Sequence, residues 1–93
     1  MQIQHTEQDH RGSFYIKEGF EVLAQMTYSL SPGLMIIDHT EVDEKLKGQK
    51  IGNKLLDAAI SYARNREWKV MPLCPFAKMM MDRNPEAFAD LRK

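Results

Sequence analysis

The chain has 93 residues, 43% hydrophobic and 28% charged, with 13 basic and 13 acidic side chains and a formal net charge of zero. That length makes one domain with a modest core, so residues 1-93 are expected to form a single unit with its function on the surface or in one cleft. A balanced charge argues against general affinity for nucleic acid or anionic membrane, which comes from an excess of Lys and Arg.

The one cysteine, Cys74, precludes an intramolecular disulfide. The first ten residues are polar and carry no signal-peptide core, and no apolar run approaches the roughly 20 residues needed to span a bilayer. A reducing, cytoplasmic setting is the expectation.

In chain order, Ile3 to Glu7 is an additional strand candidate. Ser13 to Lys17 is the next, with Phe14 and Ile16 on one side. Glu18-Gly19-Phe20 is short and contains Gly, which predicts a hairpin. From Glu21 to Leu30, Val22, Ala24, Met26, Tyr28 and Leu30 alternate with mostly polar neighbours, the period of a half-buried strand. Ser31-Pro32-Gly33 signals a turn. Leu34 to Val42, apolar at its start and β-branched at several positions, predicts a more buried, central strand.

Asp43 to Lys50 reads as a charged loop. From Gly52 to about Arg66 the period becomes helical, with Leu55, Leu56, Ala59, Ile60 and Ala63 on one face. Trp68 to Leu73 reads as a short strand, ended or bent by Pro72. Pro75 opens a second helix reaching Arg83, with Pro85 at or near its end. The predicted fold class is α/β (α+β): a single mixed, mostly antiparallel sheet with a crossover helix and a short C-terminal helix.

The stretch Lys47-Gly48-Gln49-Lys50-Ile51-Gly52-Asn53 leads from the central strand into the amphipathic helix. A helix N-terminus exposes unpaired N–H groups and the positive end of the macrodipole, which suit a phosphate. Gly48 and Gly52 would let backbone approach a ligand closely, and Lys47, Lys50 and Lys54 add positive charge. Glycines before a helix also mark plain turns, and loop lysines are often only solvated, so the loop alone leaves both readings open. It is neither a Walker loop nor a dinucleotide fingerprint.

The stretch resembles the acetyl-CoA-binding motif of the GNAT superfamily of N-acetyltransferases, Q/R-x-x-G-x-G/A, with Lys47 at its first position and Gly52 at its last. Asp38-His39-Thr40-Glu41-Val42, Met71-Pro72-Leu73-Cys74-Pro75-Phe76 and Arg83-Asn84-Pro85-Glu86 are similar to segments of a small GNAT-like subfamily containing little beyond the CoA-binding core. Two positions depart from the superfamily motif: Lys50 stands where its central Gly is usual, and Lys47 replaces Arg or Gln.

The resemblance implies a GNAT-like sheet that splays between the strands ending near Val42 and Leu73, with acetyl-CoA as cofactor. Pantetheine would pair with backbone near Glu41 and Val42, and the pyrophosphate would rest on N–H groups from Gly48 through Gln49, Lys50, Ile51 and Gly52 to Asn53. The thioester would then lie near His39, Thr40 and Cys74. The tyrosine acid of many members has no counterpart, because no tyrosine follows Tyr62. Cys74 could take the acetyl group or protonate the departing thiolate, but a lone cysteine is also commonly a small buried apolar residue. His39 is a candidate base, with Glu41 acting through water as another. A structural histidine fits that position equally. His5 and His10 receive no role, and no metal-ligand spacing is present.

The expected activity is transfer of acetyl from acetyl-CoA to an amine that the sequence does not identify. The alternatives are a non-catalytic CoA-binding module and a protein-interaction domain. A monomer or weak homodimer is expected, an open first strand edge being able to pair with a second copy.

Overall fold

Four antiparallel strands form a meander: β1 (Gln4–Gln8), β2 (Arg11–Glu18), β3 (Glu21–Ser31) and β4 (Leu34–Val42); apolar residues mark the last three, whereas β1 is wholly polar and joins through its ladder with β2. A short 3-10 turn, Glu44–Leu46, lies within the expected loop, and Asp43 caps it by accepting from the Lys45 N–H at 2.9 Å. Helix α1 (Ile51–Asn65) then crosses over to β5 (Lys69–Pro72), which pairs parallel with β4. Helix α2 (Pro75–Arg83) and a 3-10 turn, Pro85–Phe88, follow, and the last residues return to β5, where Arg92 bridges parallel to Val70. The computed structural model describes residues 2–93, and its sheet order is β1-β2-β3-β4-β5.

Two bulges change which residues face the helices. In β3, Ile16 faces Ala24 but Lys17 faces Val22, so Leu23 is the extra residue. Leu23 is buried and Val22 is 45% exposed, whereas strict alternation had Val22 facing inward. In β4, Tyr28 faces Ile37 but Thr27 faces His39, which makes Asp38 the extra residue. An extra residue reverses the parity of everything after it. Met35 and Ile37 therefore point into the core, and beyond the bulge Thr40 and Val42 take that side while His39 and Glu41 face away.

The core lies between the sheet and its helices. Leu55, Leu56, Ala59, Ile60 and Ala63 from α1, with Ala77 and Met81 from α2, meet Met26, Met35, Ile37 and Val70 in one buried cluster. Burying a large apolar side chain contributes about 1.5–3 kcal/mol, so this face holds most of the fold's stabilisation. The opposite face carries no helix. Leu34, Ile36 and Met71 lie there, only partly covered and outside the cluster. The molecule is 19 Å across its thinnest dimension, consistent with one sheet layer and one helix layer.

The outer strand β1 is tied to the helix side by polar groups. His5 stacks on Phe14 with ring centroids 4.1 Å apart, and its Nε2 lies 2.6 Å from the Tyr28 hydroxyl. Tyr28 and Tyr62 both donate to Glu7 Oε1, at 2.7 and 3.0 Å. The Tyr28 proton is thus committed to Glu7, so His5 Nε2–H is the donor in the other bond. Gly12 makes this possible: a Cβ there would collide with the Tyr28 ring and lie 2.7 Å from the Thr6 carbonyl oxygen.

Candidate active site

Pairing between β4 and β5 runs from Leu34–Lys69 to Ile37–Pro72 and stops. The N–H groups of Leu73 and Cys74 both turn back onto the Ile37 carbonyl, at 3.0 and 3.1 Å. Pro72 donates no hydrogen bond, and Pro75 starts α2 two residues after Leu73. Meanwhile β4 continues through Asp38, His39, Thr40, Glu41 and Val42 with β3 on one side and no strand on the other. A slot edged by free β4 backbone results.

At the slot's inner end Thr40 Oγ1 lies 3.2 Å from Cys74 Sγ. Cys74 is the N-cap of α2 and only 2% exposed, with its thiol on the helix side. Thr40 and Cys74 are therefore in contact on the helix side. His39 does not join them. Its ring lies on the bare face, where Nε2 is 3.0 Å from Glu41 Oε1 and both side chains are about three-fifths exposed. Hydrogen bonds from His39 and Gln25 hold the Glu41 carboxyl below its ordinary range. With Glu41 ionised and His39 Nε2–H donating to it, a neutral His39 ring keeps its lone pair on Nδ1. The bulge at Asp38 thus separates a hydroxyl–thiol pair in the core from an imidazole–carboxylate pair outside.

At the other end of the slot, Gly48 (φ +81°) and Lys50 (φ 56°, ψ 37°) turn the chain into α1. Lys50 is the N-cap residue and supplies no side-chain cap. The first intrahelical bond runs from Lys54 N–H to the Lys50 carbonyl. Among the described residues, no backbone acceptor meets the N–H groups from Gly48 to Asn53, so the start of α1 presents unpaired donors. Lys47 reaches back to Glu44 at 3.4 Å, whereas Lys50 and Lys54 make no ion pair among the described residues. Lys50 occupies the left-handed region that the usual Gly adopts without strain.

Gly52 also has a packing role. A Cβ there would point at the Phe76 ring, 2.8 Å from its nearest carbon. The missing side chain makes room for α2 against α1, a reason for glycine there that needs no ligand. Phe76 and Gln25 are the contributors that motif reading missed. Phe76 carried a signal, in Pro75-Phe76 directly after the cysteine. Gln25 carried none, because its contact with Glu41 follows from strand register.

Among the described residues, no group of three His, Cys, Asp or Glu side chains is arranged to hold a metal ion. No helix of the described residues is long and apolar enough to cross a membrane.

A five-stranded mixed sheet parted beside a crossover helix whose N-terminus has no side-chain cap is the architecture of a GNAT core. Residues 13–91 match the family model for the GCN5-related N-acetyltransferase domain. A GCN5-like protein from Staphylococcus aureus, solved in solution, is 32% identical, with a TM-score of 0.75 over 97% of this chain and 87% of that one. The chain belongs to the GCN5-related N-acetyltransferase family. Two more distant structures share the fold. A ribosomal-protein-alanine N-acetyltransferase from Brucella melitensis is 15% identical, with a TM-score of 0.67 over 83% of this chain and 62% of that one. The enzyme AAC(6')-Iy, in complex with a CoA-containing bisubstrate analogue, is 12% identical, with a TM-score of 0.56 over 92% of this chain and 64% of that one. None of the curated proteins compared by sequence matches it.

Proposed function

We propose that this protein is an acetyl-CoA-dependent N-acetyltransferase acting on an amine. The observation that carries the reading is the parting of β4 from β5 above the unpaired N–H groups at the start of α1. The residues present suit the donor. Free backbone along Glu41 and Val42 matches the amides of a pantetheine arm. The cradle from Gly48 to Asn53, with Lys50 and Lys54 beside it, matches a pyrophosphate.

Bound there, acetyl-CoA supplies an activated acyl group as a thioester. His39 Nδ1 accepts a proton from the acceptor's ammonium on the bare face, and Glu41 stabilises the imidazolium that forms. The amine nitrogen then bonds to the acyl carbon as the carbon–sulfur bond breaks, and the second proton it sheds is balanced by the one the departing sulfur takes up. The Thr40–Cys74 pair, on the other side of β4, lies where a proton can be passed to the departing sulfur. Its partition from His39 by the β4 backbone favours direct attack over an acetyl group carried on Cys74. A cytoplasmic setting, in which Cys74 stays a thiol, is part of the same reading.

A second reading is a CoA-binding module without turnover. It is favoured by the Tyr28 and Tyr62 hydroxyls, which both engage Glu7 and leave neither to act as acid. Calorimetric titration with acetyl-CoA, followed by acetyl transfer to a panel of amines, separates the two. The transferase reading expects one-site binding, with transfer lost about a hundredfold in His39→Ala at unchanged acetyl-CoA affinity. Binding without transfer to any amine leaves the module. No binding leaves an interaction domain. Intact-mass detection of acetyl on Cys74 during turnover would overturn direct attack.

A further inference from the structure

The two edges of the sheet differ. Along β5 the C-terminal residues cover the edge: Val70 N–H donates to the Leu91 carbonyl at 2.7 Å, and Lys93 N–H to the Val70 carbonyl at 2.9 Å. At the other edge β1 is exposed at every position, and among the described residues no strand lies beyond it. Open edges are ordinarily blunted by lysine, proline or a bulge. Gln4-His5-Thr6-Glu7-Gln8 contains no lysine or proline, and its ladder with β2 runs from Gln4–Tyr15 to Gln8–Arg11 without a shift.

The free backbone groups on this edge have a definite parity. Asp9-His10 is a two-residue turn that closes on the Gln8–Arg11 pair, and the closing pair of such a hairpin is hydrogen-bonded. Hydrogen-bonded and open pairs alternate from there, so Gln4, Thr6 and Gln8 direct their N–H and C=O groups at β2. The position of the Thr6 carbonyl oxygen agrees, since a Cβ on Gly12 of β2 would lie 2.7 Å from it. His5 and Glu7 therefore turn their backbone groups outward.

Antiparallel pairing with β1 of a second copy has to set outward residues opposite one another. A two-fold axis at Thr6 does so. His5 then faces the second copy's Glu7, Glu7 faces its His5, and each pair exchanges both backbone bonds. Thr6 meets Thr6 across the axis, and Gln4 meets Gln8. The side chains match as well. On the helix side each imidazole meets a carboxylate. Glu7 spends Oε1 on both tyrosines, which leaves Oε2 for the second copy's ring. On the other face hydroxyl meets hydroxyl and amide meets amide, each able to donate and accept. Cross-strand pairs of these kinds stabilise a sheet, and like charges directly opposite destabilise it. An axis at Glu7 would oppose two carboxylates and shorten the overlap.

We propose that the β1 edge is a homodimer interface, at which two copies pair antiparallel about Thr6 and join their five-stranded sheets into one. The slot between β4 and β5 lies away from this edge and stays open in both copies.

Sedimentation velocity from about 10 µM to about 1 mM should show a reversible monomer–dimer equilibrium, as suits a short polar contact. Thr6→Lys sets two ammonium groups across the axis and should weaken dimerisation about tenfold or more. Its melting temperature at low concentration should match that of the unaltered protein, because Thr6 is exposed. Thr6→Glu should behave alike, and an equimolar mixture of the two variants should dimerise again. Disulfide trapping with oxidised glutathione reads the register. Thr6→Cys should cross-link, since an open antiparallel pair brings Cα atoms to about 4.5 Å, within disulfide reach. Gln4→Cys should not cross-link alone but should do so when mixed with Gln8→Cys. The unaltered protein, whose cysteine is buried, should stay uncross-linked. A monomer at every concentration overturns the proposal, as does a dimer that persists undiminished in Thr6→Lys. Cross-linking of Gln4→Cys alone, or none of Thr6→Cys, overturns the register and the interface with it.

Discussion

Substituting Gly52 by alanine separates a glycine kept for a ligand from one kept for packing. An ideal Cβ at Gly52 lies 2.8, 3.1 and 3.2 Å from three carbons of the Phe76 ring. All three are inside ordinary contact, so the half-buried ring has to move. Overpacking of this kind costs about 1–3 kcal/mol. Against it stands the better helix propensity of alanine, up to about 1 kcal/mol for an interior position and less in a first turn. Gly52→Ala alone should therefore destabilise by about 1 kcal/mol, or about 4–8 °C in melting temperature for a domain this size. In a Phe76→Ala background the obstacle is gone, and the same substitution should stabilise by about 0.5 kcal/mol. The coupling in the double-mutant cycle is then about 1.5 kcal/mol, well above the error for independent sites. Urea unfolding of the four proteins, followed by circular dichroism, measures it. Equal effects of Gly52→Ala in both backgrounds would refute the packing argument. Acetyl-CoA titration of the double variant adds a second check, since a glycine kept for ligand approach predicts lost affinity even where stability has recovered.

Three further outcomes follow from the β1 network and the α1 cap. Gly12→Ala places a methyl group against the Tyr28 ring and the Thr6 carbonyl, one a packed side chain and the other backbone; it should cost about 2–3 kcal/mol, read as a lowered urea midpoint. Acid should loosen β1. Burial lowers the His5 pKa below 6.5 despite the opposing charge of Glu7. For Glu7, burial is outweighed by hydrogen bonds from Tyr28 and Tyr62, and its pKa falls below 4.5. Both contributions are present at neutral pH and are lost as pH falls, the first from about 6.5 downward and the second below 4.5. Hydrogen exchange at β1 amides should accelerate over that range, and Glu7→Gln should flatten the lower part of the profile. Finally, Lys50→Gly removes a left-handed non-glycine residue that costs about 1–2 kcal/mol, offset by about 0.4–1 kcal/mol of added chain entropy. A net stabilisation of about 0.5 kcal/mol is expected by thermal melting, and a clear destabilisation would contradict it.

Much of this architecture is legible in the residues because its signals are periodic. The helical spacing of Leu55, Leu56, Ala59, Ile60 and Ala63 marks α1, whose observed bounds lie within a residue of the expected ones. Pro75 marks the start of α2. What the pattern does not carry is a register shift. Nothing local distinguishes Leu23 or Asp38 as an extra residue, since each bulge is settled by pairing with a strand that is distant in sequence. The side chains near the slot were therefore named as one group, and the structure divides them between two faces. The His5–Glu7–Tyr28 network was hidden for a related reason. Its members are up to 23 residues apart and meet only across three strands.

The extra residue at Asp38 also has a consequence for how such a protein can change. It places consecutive positions of one strand in two separate environments, so that Thr40 and Val42 answer to the interior while His39 and Glu41 answer to whatever arrives from outside. Substitutions on the outer positions can change what the bare face presents with little disturbance to the groups packed in the interior. Loss of a single residue here would exchange the two sets wholesale. Point mutation therefore offers this strand gradual adaptation, and a one-codon deletion offers it none.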